Sequence, residues 1–359
     1  MIKLKKNQDQ LELIKAMGSK KKEESFAAQE AFAAVIGPVI GEVLNQLSTA
    51  SIIFEDYQYG EDESPVFPLD FYYGEGAGAI SIWSASKAGG LPSNTIESSG
   101  EVRFMPYELE TAINFDKKYA RKTFAFNVLS KAVERMLNEL IVKQDRQGWA
   151  TVLRALGEAR TNGADHIISA TTANRLQLDD FNRLITLGKR INMSYAQGTP
   201  SNVYSKGVSD LFMSYEMMQE IRGMAYNPQN ATAVPNTDES TALGLPEGVR
   251  EEIYRNAGTS SIYGINVTEL AELGLNQKYN ILFNQYAPGG TFTLSDEIVI
   301  GVDQSKGAFL RAVESNGNGT ATVLPDDQFL TRSEKVGFYT KLKEARVCLD
   351  GRSVVGLVV

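Results

Sequence analysis

Few side chains of this sequence could act as nucleophiles, catalytic bases or soft metal ligands. The 359 residues include one cysteine, Cys348, and one histidine, His166. A zinc site built from cysteine and histidine needs several such ligands, so these counts exclude one, and they also exclude a disulfide within the chain. Such a chain suits a reducing compartment. A catalytic Cys–His or Ser–His pair would need His166 as its base, and the polar stretch 161–166 predicts a plain loop residue instead.

Carboxylates occur as sequence neighbours at Asp179–Asp180, Asp296–Glu297 and Asp326–Asp327. Adjacent side chains of a strand point to opposite faces, so such neighbours do not form an acid–base pair by themselves. Asp179 is expected to cap a helix. The glycines of 74–78 lack the third glycine of a dinucleotide-binding loop and lie in a strand-rich segment, which excludes that role. We therefore expect no enzyme, no cofactor and no metal.

The charge of the chain limits its partners. A net charge of -8 argues against a protein that binds nucleic acid over much of its surface. The lysines of 3–22 form a small basic cluster, which is either a solvated tail or a tail that faces a polyanion or a partner. No apolar run reaches the roughly 18 residues of a membrane span, and the N-terminus lacks a signal-peptide core. We expect a cytosolic product without a membrane partner.

A strand-rich stretch runs directly into a long helix near the middle of the chain. Apolar and polar residues alternate over 109–116, which predicts a half-buried strand. Apolar residues then recur every three or four positions from Asn127 to Ala159, which predicts a helix roughly 50 Å long at 1.5 Å per residue. Helices in globular proteins average only about three to four turns. The long strand and the long helix together therefore indicate a subunit that extends to neighbouring subunits and argue against a compact enzyme.

The other patterns predict further helices and strands. Helices are expected at 9–17, 179–191 and 209–224. An apolar stripe over 32–47 predicts a helix that Gly37, Pro38 and Gly41 kink or divide into two pieces. Strands are expected at 279–284, 297–302 and 308–313, with a hairpin turn at 303–307, and the stretch 338–359 is expected to be a strand pair folded at Asp350–Gly351. The polar segment 225–263 is expected to be a long loop.

The strand-rich arm over 64–115 is rich in glycine and aromatic residues. A two-stranded ribbon alone is marginal in water, so the arm must lie on something. Its exposed aromatic residues need cover from a partner or from the arm's own domain. The aromatic residues expected at an assembly interface are Phe71, Tyr72, Tyr73, Trp83 and Phe104.

The order of these parts resembles that of the major capsid proteins of tailed bacteriophages, which have the Hong Kong 97-type fold. Residues 90–95 through 113–122 are similar to the ribbons that lead into the spine helix of these proteins, and 142–150 is similar to the middle of that helix. Tyr204 and 209–222 resemble the strand–helix start of the family's axial domain. The resemblance covers nearly all of the chain and implies an α+β fold.

The resemblance also implies a division into domains. It makes 1–60 an N-terminal arm and 61–122 the extended loop, a β-ribbon. It makes 123–200 with 315–359 the peripheral domain, which contains the spine helix, and 201–314 the axial domain. Some members cross-link covalently through a lysine of the extended loop, and Lys87 is the candidate by location, although we expect no cross-linking here.

The implied function is that of a structural subunit. Such subunits self-assemble into hexamers and pentamers of an icosahedral shell, which encloses double-stranded DNA without sequence-specific contacts. Because no scaffolding segment precedes Met1, we expect a separate scaffolding protein, with portal and decoration proteins as further partners. The expected location is the virion, after synthesis and assembly in the bacterial host cytoplasm. The alternatives are an encapsulin-type nanocompartment shell protein and, less favoured, a soluble two-domain enzyme.

Overall fold

The computed structural model describes residues 8–60, 63, 65–68, 101–120, 125–161, 166–193, 207–226, 248, 251, 261–287, 292–314, 322–326 and 335–359. The helices are α1 (Gln8–Met17), α2 (Lys22–Leu47), α3 (Lys117–Ala120), α4 (Ala125–Thr161), α5 (Leu178–Met193), α6 (Tyr215–Tyr226) and α7 (Lys278–Tyr286). The strands are β1 (Glu55–Tyr59), β2 (Val66–Pro68), β3 (Glu101–Arg103), β4 (Tyr107–Asp116), β5 (Ile167–Ser169), β6 (Asp210–Met213), β7 (Ser261–Ile262), β8 (Ile265–Glu269), β9 (Ile298–Val302), β10 (Phe309–Glu314), β11 (Thr322–Asp326), β12 (Lys335–Cys348) and β13 (Val354–Val358).

The chain divides into two compact units. Unit 1 contains Met1–Val66, Arg103–Gly148 and Leu310–Val347. Unit 2 contains Phe67–Val102, Trp149–Phe309 and Cys348–Val359. The 37-residue helix α4 therefore contributes its first two thirds to one unit and its end to the other.

Unit 1 is built on a five-stranded sheet with the order β1-β10-β12-β11, in which β4 also pairs with β12. Side chains of β4 are alternately half-buried and exposed, because one face of the sheet packs on helices and the other faces solvent. The core lies between this sheet and helices α1, α2 and α4, and it includes the ring contact between Phe32 and Phe338 at 5.6 Å. The apolar side chains that α4 supplies are Leu129, Val133, Met136, Leu137 and Leu140.

Unit 2 is built on a six-stranded sheet with the order β5-β13-β9-β6-β8-β7. Its central strands are buried on both faces, so they consist of continuous apolar residues without alternation. Helices α5 and α6 contribute Phe181, Leu184, Met217 and Ile221 to a core that the sheet residues complete. Met217 and Met218 of α6 are buried core residues.

Several elements confirm the sequence patterns. The helix predicted over 127–159 spans Ala125–Thr161, and those predicted at 9–17 and 179–191 correspond to α1 and α5. The alternating strand is β4, and the predicted strands 297–302 and 308–313 are β9 and β10. The loop predicted at 225–263 lies mostly outside the described residues, as does the arm over 69–100.

One alternative for α2 is excluded, and one expectation about a helix cap was wrong. The stripe over 32–47 was expected to be a kinked helix or two pieces, and it is not two pieces, because α2 is helical from Lys22 to Leu47. Asp179 is not the residue that caps α5. The carboxylate at the start of α5 that binds the preceding backbone belongs to Asp180. It accepts the Gln177 N–H at 3.1 Å and the Thr171 N–H at 3.0 Å.

Two further elements differ in type from the prediction. Residues 279–284 form helix α7 and not a strand, because a helix places Tyr279, Asn280 and Phe283 on one buried face. The helix predicted from Ser209 begins only after Ser214, since Asp210–Met213 pairs with both β8 and β9 in the sheet. Ser214 Oγ then accepts the Met217 N–H at 3.2 Å and caps α6.

Neither predicted hairpin forms. Strands β9 and β10 belong to different sheets, and so do β12 and β13. The turn residues are nevertheless ordered locally: Asp303 accepts the Ser305 N–H at 3.0 Å, and Asp350 accepts the Arg352 N–H at 2.9 Å. These turns redirect the chain from one sheet to another and do not fold a strand back on its neighbour.

Candidate assembly surfaces and a buried charge network

The predicted interface residues Phe71, Tyr72, Tyr73, Trp83 and Lys87 lie outside the described residues. Phe104 lies just after β3, which pairs with β2 in a two-stranded sheet. Its side chain is buried, and its N–H donates to the carbonyl of Pro65 at 3.0 Å. The ring of Phe104 is thus already covered within one chain, and its role in assembly stays a prediction.

Residues with catalytic potential are engaged in packing. His166 is buried, and its Nδ1 lies 3.0 Å from the carbonyl oxygen of Val354. Burial and the neighbouring Asp350 carboxylate raise the pKa of the Cys348 thiol to about 12, so it stays protonated at neutral pH. Within the part of the chain that the structure describes, no three His, Cys, Asp or Glu side chains come together as a metal site. The same part contains no helix whose length and apolarity suit a membrane span.

The carboxylate neighbours Asp296 and Glu297 support the fold. Asp296 accepts the N–H of Thr293 at 2.8 Å and closes a turn. Glu297 is buried and accepts the hydroxyl of Ser214. Burial raises the pKa of Glu297, the hydrogen bond from Ser214 opposes that rise, and the carboxylate of Glu216 adds to it. The two side chains have separate hydrogen-bond partners and do not act as a pair.

A buried charge network lies on the core face of the unit 1 sheet. Glu344 of β12 and Tyr107 of β4 are register partners, and the tyrosine hydroxyl donates to Glu344 Oε1 at 2.5 Å. Gln144 Nε2 of α4 donates to Glu344 Oε2 at 2.9 Å. Burial alone would raise the pKa of Glu344, but Arg346, Arg311 and these hydrogen bonds together lower it below its ordinary value. Glu344 is therefore ionised at neutral pH.

Two arginines surround this carboxylate. Arg311 Nε lies 2.9 Å from Glu344 Oε2, and Arg311 Nη1 lies 3.2 Å from Asp56 Oδ1 on β1. Arg346 Nε lies 3.4 Å from Glu344 Oε1, an ion-pair distance without hydrogen-bond geometry, and its guanidinium stands 5.0 Å above the ring of Phe54. Both guanidinium groups are about as buried as the carboxylate. The charges of the network lie on β1, β10 and β12, and removing one buried charge would destabilise the protein because its partners would stay buried without it.

Helix α4 fits against the network through a carboxylate and a glycine. Asp145 accepts the N–H of Ala50 at 2.8 Å and the hydroxyl of Thr49 at 2.8 Å, which fixes the turn before β1 on the helix. One turn further, a Cβ on Gly148 would lie 2.1 Å from Arg346 Nη1 and 2.5 Å from the Cβ of Ala50. The glycine is needed here for close approach, not for an unusual backbone angle.

Gly148→Ala is expected to destabilise the protein by about 1–3 kcal/mol, although alanine is favoured over glycine by about 1 kcal/mol in a helix interior. The reason is overpacking against Ala50, whose Cβ cannot move without its backbone. Urea unfolding measures the loss. The matched control is Gly223→Ala in α6, where a new Cβ meets nothing within 4 Å and should be neutral or stabilising. Equal behaviour of the two variants would contradict the packing described.

Helix α2 has exposed apolar residues opposite the side that faces the core. One side packs into the unit 1 core through Phe32 and Ile36. On the other side Phe26 is 39% exposed and Val35 is 50% exposed, with exposed alanines between them at helical spacing. We call this side the outer face of α2; it consists of Phe26, Ala27, Ala31, Ala34 and Val35. The exposed carboxylates of Glu23, Glu24 and Glu30 lie on the same side, so this face is of mixed polarity.

A second exposed apolar surface lies in unit 2. Four large apolar side chains there are 39–50% exposed, and three of them lie within two residues in sequence of the members of one buried polar cluster. That cluster links Gly274 N–H to Asn280 Oδ1 at 3.2 Å and Asn280 Nδ2 to the Asp296 carbonyl at 3.1 Å. We call this surface the α6–α7 face; it consists of Tyr215, Leu275, Ile281 and Leu294.

The fold is similar to those of solved shell proteins. No protein-family model matches the chain, and no curated protein matches it. The capsid of a native GTA particle is 12% identical, with 87% of this chain and 90% of that chain covered and a TM-score of 0.51. The capsid of Cyanophage P-SCSP1u is also 12% identical, covering 85% and 86%, with a TM-score of 0.49. The holo-SrpI encapsulin complex from Synechococcus elongatus is 8% identical, covering 87% and 88%, with a TM-score of 0.45. The chain therefore has the mixed helix-and-strand fold of the GTA capsid protein.

Proposed function

We propose that this protein is the shell-forming subunit of a tailed-bacteriophage capsid, with a fold of the Hong Kong 97 type, and that it acts by self-assembly and not by catalysis. The observation that carries the proposal is the fold shared with the capsid of the GTA particle over 87% of the chain. The 37-residue helix α4 and the exposed apolar side chains of unit 2 support it, because both suit a subunit that is completed by its neighbours.

The proposed division of the chain follows the family's parts. Residues 1–60 form the N-terminal arm and 61–122 the extended loop. The peripheral domain contains 123–200 and 315–359, with α4 as the spine helix, and the axial domain contains 201–314. The aromatic residues of the extended loop, together with Lys87, are proposed to lie against a neighbouring subunit.

The proposed assembly consists of hexamers and pentamers of this one chain. The shell encloses double-stranded DNA through contacts that do not depend on sequence, and the net charge of -8 favours a wall that does not hold the DNA tightly. A separate scaffolding protein, a portal and decoration proteins are the further proposed partners. No cofactor is needed. The location is the virion, after assembly in the host cytoplasm.

Mass photometry of the purified full-length chain tests this proposal. Discrete species of five or six chains, or larger closed particles, are expected. A uniform monomer or dimer at every protein concentration would overturn it. Particles that protect DNA from nuclease would be a capsid, whereas particles that hold a cargo protein in place of DNA would be an encapsulin-type compartment.

A further inference from the structure

We propose that strand β4 pairs along its free edge with the β4 strand of a second copy of this chain, antiparallel and centred on Thr111. The inference rests on the proposed function and deepens it, because it names one contact through which the subunits of the shell join. The contact lies wholly within unit 1 of each chain.

Strand β4 has an unpaired edge. Within the described residues its one strand partner is β12, which it follows in unbroken register over Tyr107–Asp116. A Cβ on Gly337 of β12 would lie 3.4 Å from the carbonyl oxygen of Ile113, so this carbonyl points at β12. Main-chain groups of a strand point to its two edges in alternation. Those that point away from β12 therefore belong to Glu108, Glu110, Ala112 and Asn114.

The length and composition of this edge favour pairing. Natural proteins protect edge strands by short length, proline, lysine or bulges. Strand β4 has ten residues and contains neither proline nor lysine. By contrast, β11 at another edge of the same sheet has five residues and contains Pro325. The free edge of β4 is therefore a template for a further strand.

The core row of β4, its odd-numbered residues, is incompletely covered in the single chain. These side chains are all half-buried, whereas the β12 residues paired with them are at most 4% exposed. Three apolar members of the row pack against the edge of the unit 1 core: Leu109, Ile113 and Phe115. A second β4 strand would cover this row and extend the core across both copies.

The sequence of β4 is complementary to itself when two copies run antiparallel about Thr111. The core row then pairs Thr111 with its own copy, Leu109 with Ile113 and Tyr107 with Phe115, and the last two pairs each occur twice. Threonine, apolar and aromatic pairs of this kind stabilise neighbouring strands. The residues that would exchange main-chain hydrogen bonds are 110 with 112 and 108 with 114, and the groups of these residues point away from β12.

The carboxylates of the solvent face favour this register over the next one. In the pairing centred on Thr111 no two carboxylates lie directly opposite, because Glu108 faces Asn114 and Glu110 faces an alanine. A pairing centred one residue later would place Glu108 opposite Asp116 twice. Like charges directly opposite each other destabilise a strand pair.

Diagonal contacts between carboxylates do occur in the pairing about Thr111. The two Glu110 side chains would be diagonal neighbours, as would Glu108 and Asp116. Each of these carboxylates already has a partner in its own chain, which offsets its charge. The partners are Lys341 for Glu108 at 3.1 Å, Lys118 for Asp116 at 3.0 Å and the Tyr339 hydroxyl for Glu110.

The symmetry of the contact gives its place in a shell. Pairing of a strand with its own copy is isologous and lies on a twofold axis. Chains within one ring of five or six are related by the axis of that ring. A twofold contact through β4 therefore joins chains of different rings, between neighbouring hexamers and pentamers.

Thr111→Cys in the full-length chain tests the contact with one substitution. Opposite residues of a non-hydrogen-bonded pair have Cα atoms about 4.5 Å apart, which permits a disulfide between two copies of residue 111. Oxidised protein on non-reducing gels should give about tenfold more dimer than Asn114→Cys. That control site is more exposed, but its own copy would lie roughly 20 Å away along the strands. The unaltered chain is a second control, since burial raises the pKa of the Cys348 thiol to about 12.

The outcomes separate this contact from the proposed function. Closed particles that give no Thr111→Cys dimer would overturn the pairing and leave the capsid function standing. Thr111→Cys dimers from a chain that never exceeds a dimer would support the pairing and reject the capsid function. Equal yields from Thr111→Cys and Asn114→Cys, or a greater yield from Ala112→Cys, would overturn the register.

Ala112→Pro supplies a second measurement at the same edge. Ala112 is exposed and its N–H points away from β12, so proline removes a donor that the pair with β12 does not use. Added to Thr111→Cys, it should keep the circular dichroism spectrum and lower the yield of dimer about tenfold. Ala112→Thr keeps the donor and should leave the yield unchanged. A dimer yield that Ala112→Pro does not lower would contradict pairing through this edge.

Discussion

Replacing Glu344 with alanine is expected to destabilise the protein by about 3–5 kcal/mol, because the change breaks a buried ion pair and leaves its partners behind. Arg311 and Arg346 would remain buried without the carboxylate between them. Tyr107 and Gln144 would lose the acceptor of their hydrogen bonds. The free energy of unfolding from urea titration followed by circular dichroism measures the loss.

A matched control removes an exposed carboxylate on the same pair of strands. Glu108 lies 3.1 Å from Lys341, and both side chains are about 40% exposed. Glu108→Ala should cost less than about 1 kcal/mol, since solvent screens such a pair. If the two alanine variants lost the same stability, Glu344 would not hold the sheet together in the way described.

The same network predicts a dependence on pH. The pKa of Glu344 is lowered in the folded protein, because the two guanidinium groups and the hydrogen bonds outweigh the effect of burial. The stability it contributes is thus present above the unfolded-state pKa, about 4.3, and is lost as the pH falls through the lower folded value. The wild-type chain should lose more stability than Glu344→Ala on acidification below about pH 4. Parallel acid curves for the two chains would contradict this.

Trp149→Ala is expected to cost about 3–5 kcal/mol through loss of a large buried side chain and the cavity left behind. Trp149 is the first residue of α4 that belongs to unit 2 and is fully buried. Its ring lies 4.8 Å from that of Phe212 in an edge-to-face arrangement and 5.9 Å from that of Tyr279. The substitution therefore removes the ring that joins α4 to β6 and α7. Thermal unfolding measures the effect.

The control for this substitution lies on the same helix. Val142 is 37% exposed, and Val142→Ala should change stability by less than about 0.5 kcal/mol because little packing is lost. Trp149→Phe keeps part of the aromatic contact and should fall between the two. Equal midpoints for Trp149→Ala and Val142→Ala would show that the ring is not a core contact.

The sequence predicted best where one face of an element determines the pattern. Strand β4 alternates because one side packs on helices, and α4 is apolar at three- and four-residue steps because it lies on a core. The strand expected at 279–284 was wrong because a short apolar run has no period of its own. Only the burial of Tyr279 and Phe283 by the rest of unit 2 makes that segment a helix.

Turn residues indicated where the chain bends but not which strand it joins. Asp350 does cap a turn, yet β12 and β13 enter different sheets, and that choice depends on residues far away in the chain. The charge network was missed for a related reason. Glu344 is an even number of residues from Phe338 and Leu342 in β12, so its side chain lies on the same core face of the sheet. Its partner Arg311 is 33 positions away in the chain, so no local pattern joins the two residues.

Negative-stain electron microscopy of the purified full-length chain tests the central claim most directly. A shell subunit is expected to appear as closed particles or as rings of five or six chains, without any added ligand or cofactor. A field of uniform small particles, unchanged at high protein concentration, would contradict the claim that this chain builds a shell.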